Sequence, residues 1–462
     1  MSENPTHVAL SPVPPADAWS TTSWRQRVAK QQPMYPDAEE FARCVQKLSS
    51  KPPLVAPGEV VRLRHRLAEA ARGERFVLHG GDCAETFDDC TAESLQARLK
   101  MLLQMSLVLT HATRRPVLRI GRLAGQYAKP RSAATEQLAG QELPSYRGDL
   151  INGLQATPQA RRPDPERILH GYHHAAASLN YIRALIEGGF ADLHDPRRWD
   201  LAFIERSPRR QTYRRIVNAI MDAVALMDTV GASTEALKRI EIYTSHEALL
   251  LPYEEALTRE TSAHGVMNLG AHLLWVGYRT GDLDGAHVEY LRGLGNPVAV
   301  KVGPKMQPEH VLGLLERLNP GREAGRITLI SRFGAEGVAQ HLPELIRAVR
   351  TTDQPVLWSC DPMHGNTETV AGRKTRRVEA IFSELEQTFA LHCQADSRLG
   401  GVHFEMTGEN VTECVGGAVQ ISEEDLGRSY ETACDPRLNP SQALEVAFLI
   451  AQTLHAESED HG

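Results

Sequence analysis

No apolar run in this chain approaches the roughly 20 residues that a membrane-spanning helix needs. The first 20 residues are polar and proline-containing, without a basic-then-apolar leader pattern, so the expected location is the cytoplasm. Cysteine is sparse: seven are scattered over 462 residues with no CxxC pair, which excludes a secreted disulfide framework. There is no excess of positive charge. The net charge of -7 argues against nucleic acid or an anionic membrane as partner, yet leaves room for a local basic pocket that takes small anions. Familiar catalytic signatures are missing too: no GxxxxGK[ST] loop, no complete GxGxxG, no HExxH and no GxSxG.

What the chain does have is apolar substance and alternation. Hydrophobic residues make up 42%, enough for a sizeable core. Eight short strand-like runs stand out: Phe76–Leu78, Val117–Ile120, Ile240–Tyr243, His272–Val276, Val298–Val302, Ile327–Ile330, Val356–Trp358 and Val402–Glu405. Amphipathic helical patterns fill most gaps, among them Ala92–Thr110, Pro308–Leu318, Gly337–Arg350, Arg376–His392 and Ser441–Leu454. Eight strand–helix repeats without a break predict an α/β fold of the (β/α)8, or TIM, barrel type. Residues 1–36, punctuated by prolines that include Pro12, Pro14, Pro15, Pro33 and Pro36, read as a flexible N-terminal arm, and 37–462 as one catalytic domain. The long gap between strands 2 and 3 carries helical patterns at Pro165–Gly188 and Arg210–Gly231, so extra helices are expected over about 160–235.

Active sites of such barrels are built at the C-terminal ends of the strands. Cys83 follows strand 1 on the glycine turn Gly80-Gly81-Asp82-Cys83, His364 follows strand 7, Glu405 ends strand 8 and Asp435 lies in the loop beyond it. Any one of these is more often structural than functional; a lone cysteine is usually a small buried hydrophobe. Together, a thiolate, an imidazole and two carboxylates make a mixed site for a divalent metal. Carboxylates suit Mn2+, while sulfur with imidazole suits Zn2+, Fe2+ or Co2+. A second pattern is cationic: Arg122, Lys129, Arg131, Arg279, Lys301 and Arg332 sit in or just after strands. Buried unpaired charge is costly, so these six either pair with rim carboxylates or bind anionic substrates such as two phosphates. Arg114, Arg115 and Arg119 read as ordinary structural charges, and His173-His174 as a solvated helical pair.

Several long segments then resemble one family. They are Gly80-Gly81-Asp82-Cys83-Ala84-Glu85, Gly125-Gln126-Tyr127-Ala128-Lys129-Pro130-Arg131-Ser132, Ser145-Tyr146-Arg147-Gly148-Asp149, Ser245-His246-Glu247-Ala248-Leu249, Cys360-Asp361-Pro362-Met363-His364-Gly365-Asn366-Thr367 and Thr407-Gly408-Glu409-Asn410-Val411-Thr412-Glu413-Cys414. In sequence and order, from about residue 20 to 456, they resemble the type II (plant-like) 3-deoxy-D-arabino-heptulosonate 7-phosphate (DAHP) synthases. The resemblance implies condensation of phosphoenolpyruvate with erythrose 4-phosphate at the entry to the shikimate pathway. It implies metal binding at Cys83, His364, Glu405 and Asp435, with Mn2+ first and Co2+, Fe2+ or Zn2+ next. Arg122, Arg279, Lys301 and Arg332 would surround phosphoenolpyruvate, and Lys129, Arg131 and Ser132 would line the path of the sugar phosphate. Lys129 would protonate the nascent alkoxide, a role expected to need a pKa depressed by neighbouring cations. The resemblance further implies a homodimer or homotetramer, aromatic amino-acid effectors and a chorismate mutase partner.

One departure is informative. Where the family usually has Gly-Glu-Arg-Thr, this chain has Gly277-Tyr278-Arg279-Thr280, so Tyr278 joins the substrate-binding set in place of a carboxylate. That change raises one alternative, a secondary-metabolism variant making the amino analogue of DAHP from an imino sugar phosphate; a non-catalytic regulatory homologue is a separate alternative, against which the retention of all four ligands and the six cations counts. Cys360 and Cys434, each close in sequence to an expected ligand, could form a redox-sensitive pair; two reduced thiols are the simpler reading in a reducing compartment.

Overall fold

The computed structural model describes residues 19–138, 140–188, 199–229 and 240–460. Eight parallel strands close into a barrel: β1 (Phe76–Gly81), β2 (Val117–Arg122), β3 (Ile242–Glu247), β4 (Leu273–Val276), β5 (Val298–Val302), β6 (Ile327–Ser331), β7 (Val356–Cys360) and β8 (Leu399–Glu405). Each strand pairs with its neighbour in sequence, and β8 closes on β1. The fold is the expected (β/α)8 barrel. Its strands are buried on both faces, as the near-continuous Val, Ile and Leu runs require when helices cover the outside.

The helices follow the patterns read from the sequence. Ala92–Thr113 starts at Thr91, whose side chain accepts from the Ser94 N–H, and packs against Pro440–Asp460, the helix after β8. Pro308–Leu318, Val338–Arg350 and Val378–Gln394 cover β5 to β8. The connections around β4 are short: a helix at Leu251–Ala256, a hairpin of Thr258–Thr261 with Gly265–Asn268, and the single helix Ala286–Arg292. Between β2 and β3 lie a hairpin (Thr135–Leu138 with Gln141–Pro144) and the helices Arg167–Glu187 and Arg210–Thr229. The rest of the expected insertion, at 189–198 and 230–239, lies outside the described residues. Among the described residues, no helix is long and apolar enough to cross a membrane.

Residues 1–18 of the expected N-terminal arm also lie outside the described residues. From Trp19 onward that segment is packed on the barrel. The Trp19 indole N–H donates to the Glu289 carbonyl at 2.9 Å, and its ring covers Gly293 so closely that a Cβ there would fall 2.1 Å from it. Trp24 donates to Glu255 Oε2 at 2.8 Å, and Arg25 pairs with the same carboxylate. Aromatic anchoring of this kind outweighs the chain-breaking tendency of the prolines that suggested flexibility.

Register sets the level of the site. Gly81 lies opposite Glu405 of β8 on one side and Arg122 of β2 on the other. Gly81 has φ 147°, and a Cβ on it would stand 2.6 Å from the Arg122 carbonyl oxygen. Only glycine lets β1 end here and turn its next residues, Asp82 and Cys83, across the barrel mouth.

Candidate active site

The C-terminal mouth of the barrel holds a cavity of about 220 Å³. Lys129, Arg122, Arg131, Ser132, Tyr278, Arg279, Lys301 and Arg332 all line it, together with His364 and Asp435. Elements from all round the barrel converge there. Arg122 ends β2, Lys301 projects from β5, Glu405 ends β8, and His364 opens a short 3-10 turn after β7.

Under the cavity lies an anionic floor. One ligand atom from each of Cys83, Glu405 and Asp435 lies within 4.8 Å of the other two. The fourth expected ligand, His364, touches this group through Nε2, 3.1 Å from Glu405 Oε1. Its other nitrogen, Nδ1, is 2.7 Å from Asp361 Oδ2. A carboxylate at Nδ1 orients the ring and leaves Nε2 for a cation, the usual arrangement behind a metal-binding histidine. The donors fit a divalent ion on one further observation: they already converge on a cation. The Lys129 Nζ lies 2.9 Å from Cys83 Sγ, 3.0 Å from Glu405 Oε1 and 2.9 Å from Asp435 Oδ2.

The electrostatics follow from those contacts. Burial acts against charge on Glu405, but His364, Lys129 and Arg376 hold its carboxyl well below the usual range. Asp435 is likewise held low against burial, chiefly by Lys129. Lys129 differs from expectation. Burial pulls its pKa down, yet Asp435, Cys83 and Glu405 win and hold it well above the ordinary lysine value. Its nearest neighbours are anions rather than cations, so the depressed pKa expected from the sequence is corrected: Lys129 carries its proton. Lys301 does have a lowered pKa, about 8, because burial outweighs its bond of 2.5 Å to Asp361 Oδ2.

The six cations divide into two kinds. Arg122, Lys129, Arg131 and Lys301 pair with carboxylates: Glu405, Glu405 with Asp435, Glu136 and Asp361 respectively. Arg279 donates to Ser132 Oγ at 2.6 Å, and Arg332 to the His364 carbonyl at 3.0 Å. No carboxylate pair is formed by these two among the described residues. Tyr278 accepts the Lys305 N–H at 2.9 Å through its hydroxyl, and its ring lies 5.4 Å from the Arg332 guanidinium carbon. It ties together the loops after β4 and β5 and braces Arg332.

Sequence reading missed several participants. Asp361 is fully buried and holds both His364 and Lys301, but in the sequence it is only the residue after an apolar strand. Arg376 pairs with Glu405 Oε2 at 2.7 Å and Lys374 with Asp435 Oδ1 at 2.8 Å; both come from the hairpin Thr367–Val370 with Arg373–Arg376. The cationic run Arg373-Lys374-Thr375-Arg376-Arg377 was the available signal. Glu247, the last residue of β3, is buried at the cavity wall with its Oε1 unpartnered, and a Cβ on Gly277 would lie 2.1 Å from that oxygen. Cys360 and Cys434 do not meet, in keeping with the simpler reading of two reduced thiols. Cys434 hydrogen-bonds Cys83, whereas Cys360 donates to Thr388 Oγ1 at 3.5 Å, toward the covering helix; all seven are free.

Comparison with known proteins identifies the family. Residues 19–451 match the Class-II DAHP synthetase family. A Neurospora crassa protein named phospho-2-dehydro-3-deoxyheptonate aldolase is 46% identical over 97% of this chain and 96% of its own. A Streptomyces coelicolor protein of the same name is also 46% identical, over 93% of this chain and 96% of its own. By a match over nearly its whole length and by these two relatives, the chain belongs to the Class-II DAHP synthetase family.

Proposed function

We propose that the basic cavity and its Cys–His–Glu–Asp floor carry out the reaction of this family on the residues named here. The enzyme is a DAHP synthase: it joins phosphoenolpyruvate to erythrose 4-phosphate, with water, to give DAHP and phosphate. The observation that carries the assignment is the convergence of all the expected substrate-binding side chains on one cavity above three possible metal-ligand atoms.

Arg122, Arg279, Lys301 and Arg332 neutralise the phosphate and carboxylate of phosphoenolpyruvate, Arg supplying paired N–H donors. Arg131 and Ser132 take the phosphate of the sugar. Holding both anions fixes C3 of phosphoenolpyruvate against the aldehyde carbon in near-attack geometry. As C3 bonds to that carbon, Lys129 gives the proton on Nζ to the aldehyde oxygen. Water adds at C2, Glu247 Oε1 accepts its proton, and phosphate leaves. A divalent metal held by Cys83, His364, Glu405 and Asp435 would supply Lewis acidity toward the aldehyde oxygen. We propose Mn2+ for it, since half of the donors are carboxylates.

Tyr278 braces Arg332 on the phosphate side, so the imino-sugar alternative gains no support from it. The resemblance supports a cytoplasmic homodimer or homotetramer with aromatic amino acids as effectors and a chorismate mutase as partner; sedimentation with and without Trp, Phe and Tyr tests the assembly. The direct test of function is phosphate release from phosphoenolpyruvate. It is expected to require erythrose 4-phosphate, and release at the same rate without the sugar would overturn the assignment.

A further inference from the structure

Below the cavity, four strands contribute to a buried hydrogen-bond chain of which the proposed reaction uses Arg122 alone. Arg122 Nη1 of β2 is 3.1 Å from His403 Nε2 of β8. His403 Nδ1 is 3.0 Å from His79 Nδ1 of β1, and His79 Nε2 is 2.7 Å from Ser245 Oγ of β3. Ser245 Oγ donates to the Gly121 carbonyl, 3.1 Å away on β2. Ser245, His79, His403 and Arg122 are each at most 3% exposed. Trp275 fixes the ring planes: both imidazoles meet it edge-on at 5.6 and 5.7 Å, and the Arg122 guanidinium carbon lies 5.3 Å from its centroid.

The two ends of this chain set its direction. A guanidinium only donates and a carbonyl only accepts. His403 Nε2 must therefore be bare. Ser245 spends its proton on Gly121, so His79 Nε2 must carry a hydrogen. A bare Nδ1 on His79 and an N–H at Nδ1 of His403 then complete the set, one hydrogen for each of the four bonds. An added proton on either ring would set two N–H groups, or an N–H and the guanidinium, against each other.

We infer that Ser245, His79 and His403 are positioning residues for Arg122: a one-way hydrogen-bond chain, anchored on the Gly121 carbonyl, keeps an acceptor turned toward the guanidinium that binds phosphoenolpyruvate. Two neutral histidines in opposite tautomers are the consequence. With Ser245 gone, His79 is free to change tautomer, His403 can follow, and an N–H would then face Arg122. Arg122 would keep its bond to the Cys83 carbonyl and its contact with Glu405 but lose a fixed side anchor. The effect on substrate rests on the placement of phosphoenolpyruvate proposed above; the tautomers do not.

The test has two arms on the full chain. Two-bond 1H–15N correlation of 15N-histidine protein, with signals assigned by their loss in His79→Gln and His403→Gln, reads the tautomers without substrate. Expected are Nε2–H for His79 and Nδ1–H for His403, the latter the less common form in water. Equal tautomers, or a charged ring at neutral pH, would overturn the chain. In the second arm, Ser245→Ala is expected to raise KM for phosphoenolpyruvate about 5- to 10-fold, the loss of one fixed partner to a charged group, with KM for erythrose 4-phosphate unchanged. An unaltered KM for phosphoenolpyruvate, or equal rises for both substrates, would remove the positioning role. If the assignment of substrates were wrong instead, wild-type turnover would fail while the tautomers stayed as inferred.

Discussion

The Nζ of Lys129 lies 2.9 Å from the Sγ of Cys83. A lysine expected to work among cations is instead enclosed by the anions of the candidate metal site. That places its proton donor at the boundary between the donor set and the sugar-phosphate side of the cavity, and it makes proton delivery and metal binding separable by mutation.

Lys129→Met is expected to lower kcat about 10²- to 10⁴-fold, the usual size of a lost general acid. KM for phosphoenolpyruvate should change little. Divalent metal should bind as tightly as in wild type or more tightly, because the cation that competes for Cys83, Glu405 and Asp435 has gone. Steady-state kinetics with metal titration check both halves; near-native kcat would remove Lys129 from the chemistry.

Asp361→Asn should act through His364. The amide cannot replace the carboxylate that accepts from His364 Nδ1 and Lys301 Nζ. Metal affinity is expected to fall about 10- to 100-fold. Equilibrium dialysis reads this directly, and unchanged affinity would mean that His364 needs no orienting partner.

Two substitutions separate the functions of Tyr278. Tyr278→Phe keeps the ring beside Arg332 and loses only the bond from the Lys305 N–H, so KM for phosphoenolpyruvate should stay within about 2-fold. Tyr278→Leu removes the cation–π contact as well, and a rise of about 3- to 10-fold is expected. Equal effects of the two would assign the role to the hydroxyl.

Stability should fall in acid through His392. Burial pulls its pKa from 6.5 down to about 3. The unfolded chain then binds a proton that the folded one refuses. The stabilisation is complete above pH 6.5 and is lost as pH drops toward 3, amounting in full to on the order of 5 kcal/mol. The difference in Tm between wild type and His392→Gln should therefore shrink between pH 7 and pH 5. A constant difference would show that His392 does not titrate in this way.

Much of this was legible in the sequence, within limits set by chemistry. Val298–Val302 coincides with its expected range because every residue in it is buried, and Pro308–Leu318 does so because Val311, Leu314, Leu315 and Leu318 form one buried face at helical spacing. β1, β3, β6 and β7 run past their apolar cores to Gly81, Glu247, Ser331 and Cys360, since a barrel strand continues into polar residues where it builds the site. The convergence of Cys83, Glu405 and Asp435 could be read from strand order, whereas the protonation of Lys129 could not. It depends on which charges are nearest, and Asp435 and Glu405 reach it from the far end of the chain. Asp361 was hidden for a similar reason: His364 is its neighbour three residues on, but Lys301 comes from β5, and only the folded barrel brings it to the carboxylate.

The account rests on metal-dependent condensation in this one cavity, and metal removal tests it most directly. Chelator-stripped wild-type protein should release no phosphate from phosphoenolpyruvate and erythrose 4-phosphate, and Mn2+ should restore turnover. Cys83→Ser, assayed alongside, should lose bound metal and activity together. Full turnover by the stripped enzyme, or by Cys83→Ser without metal, would contradict the account.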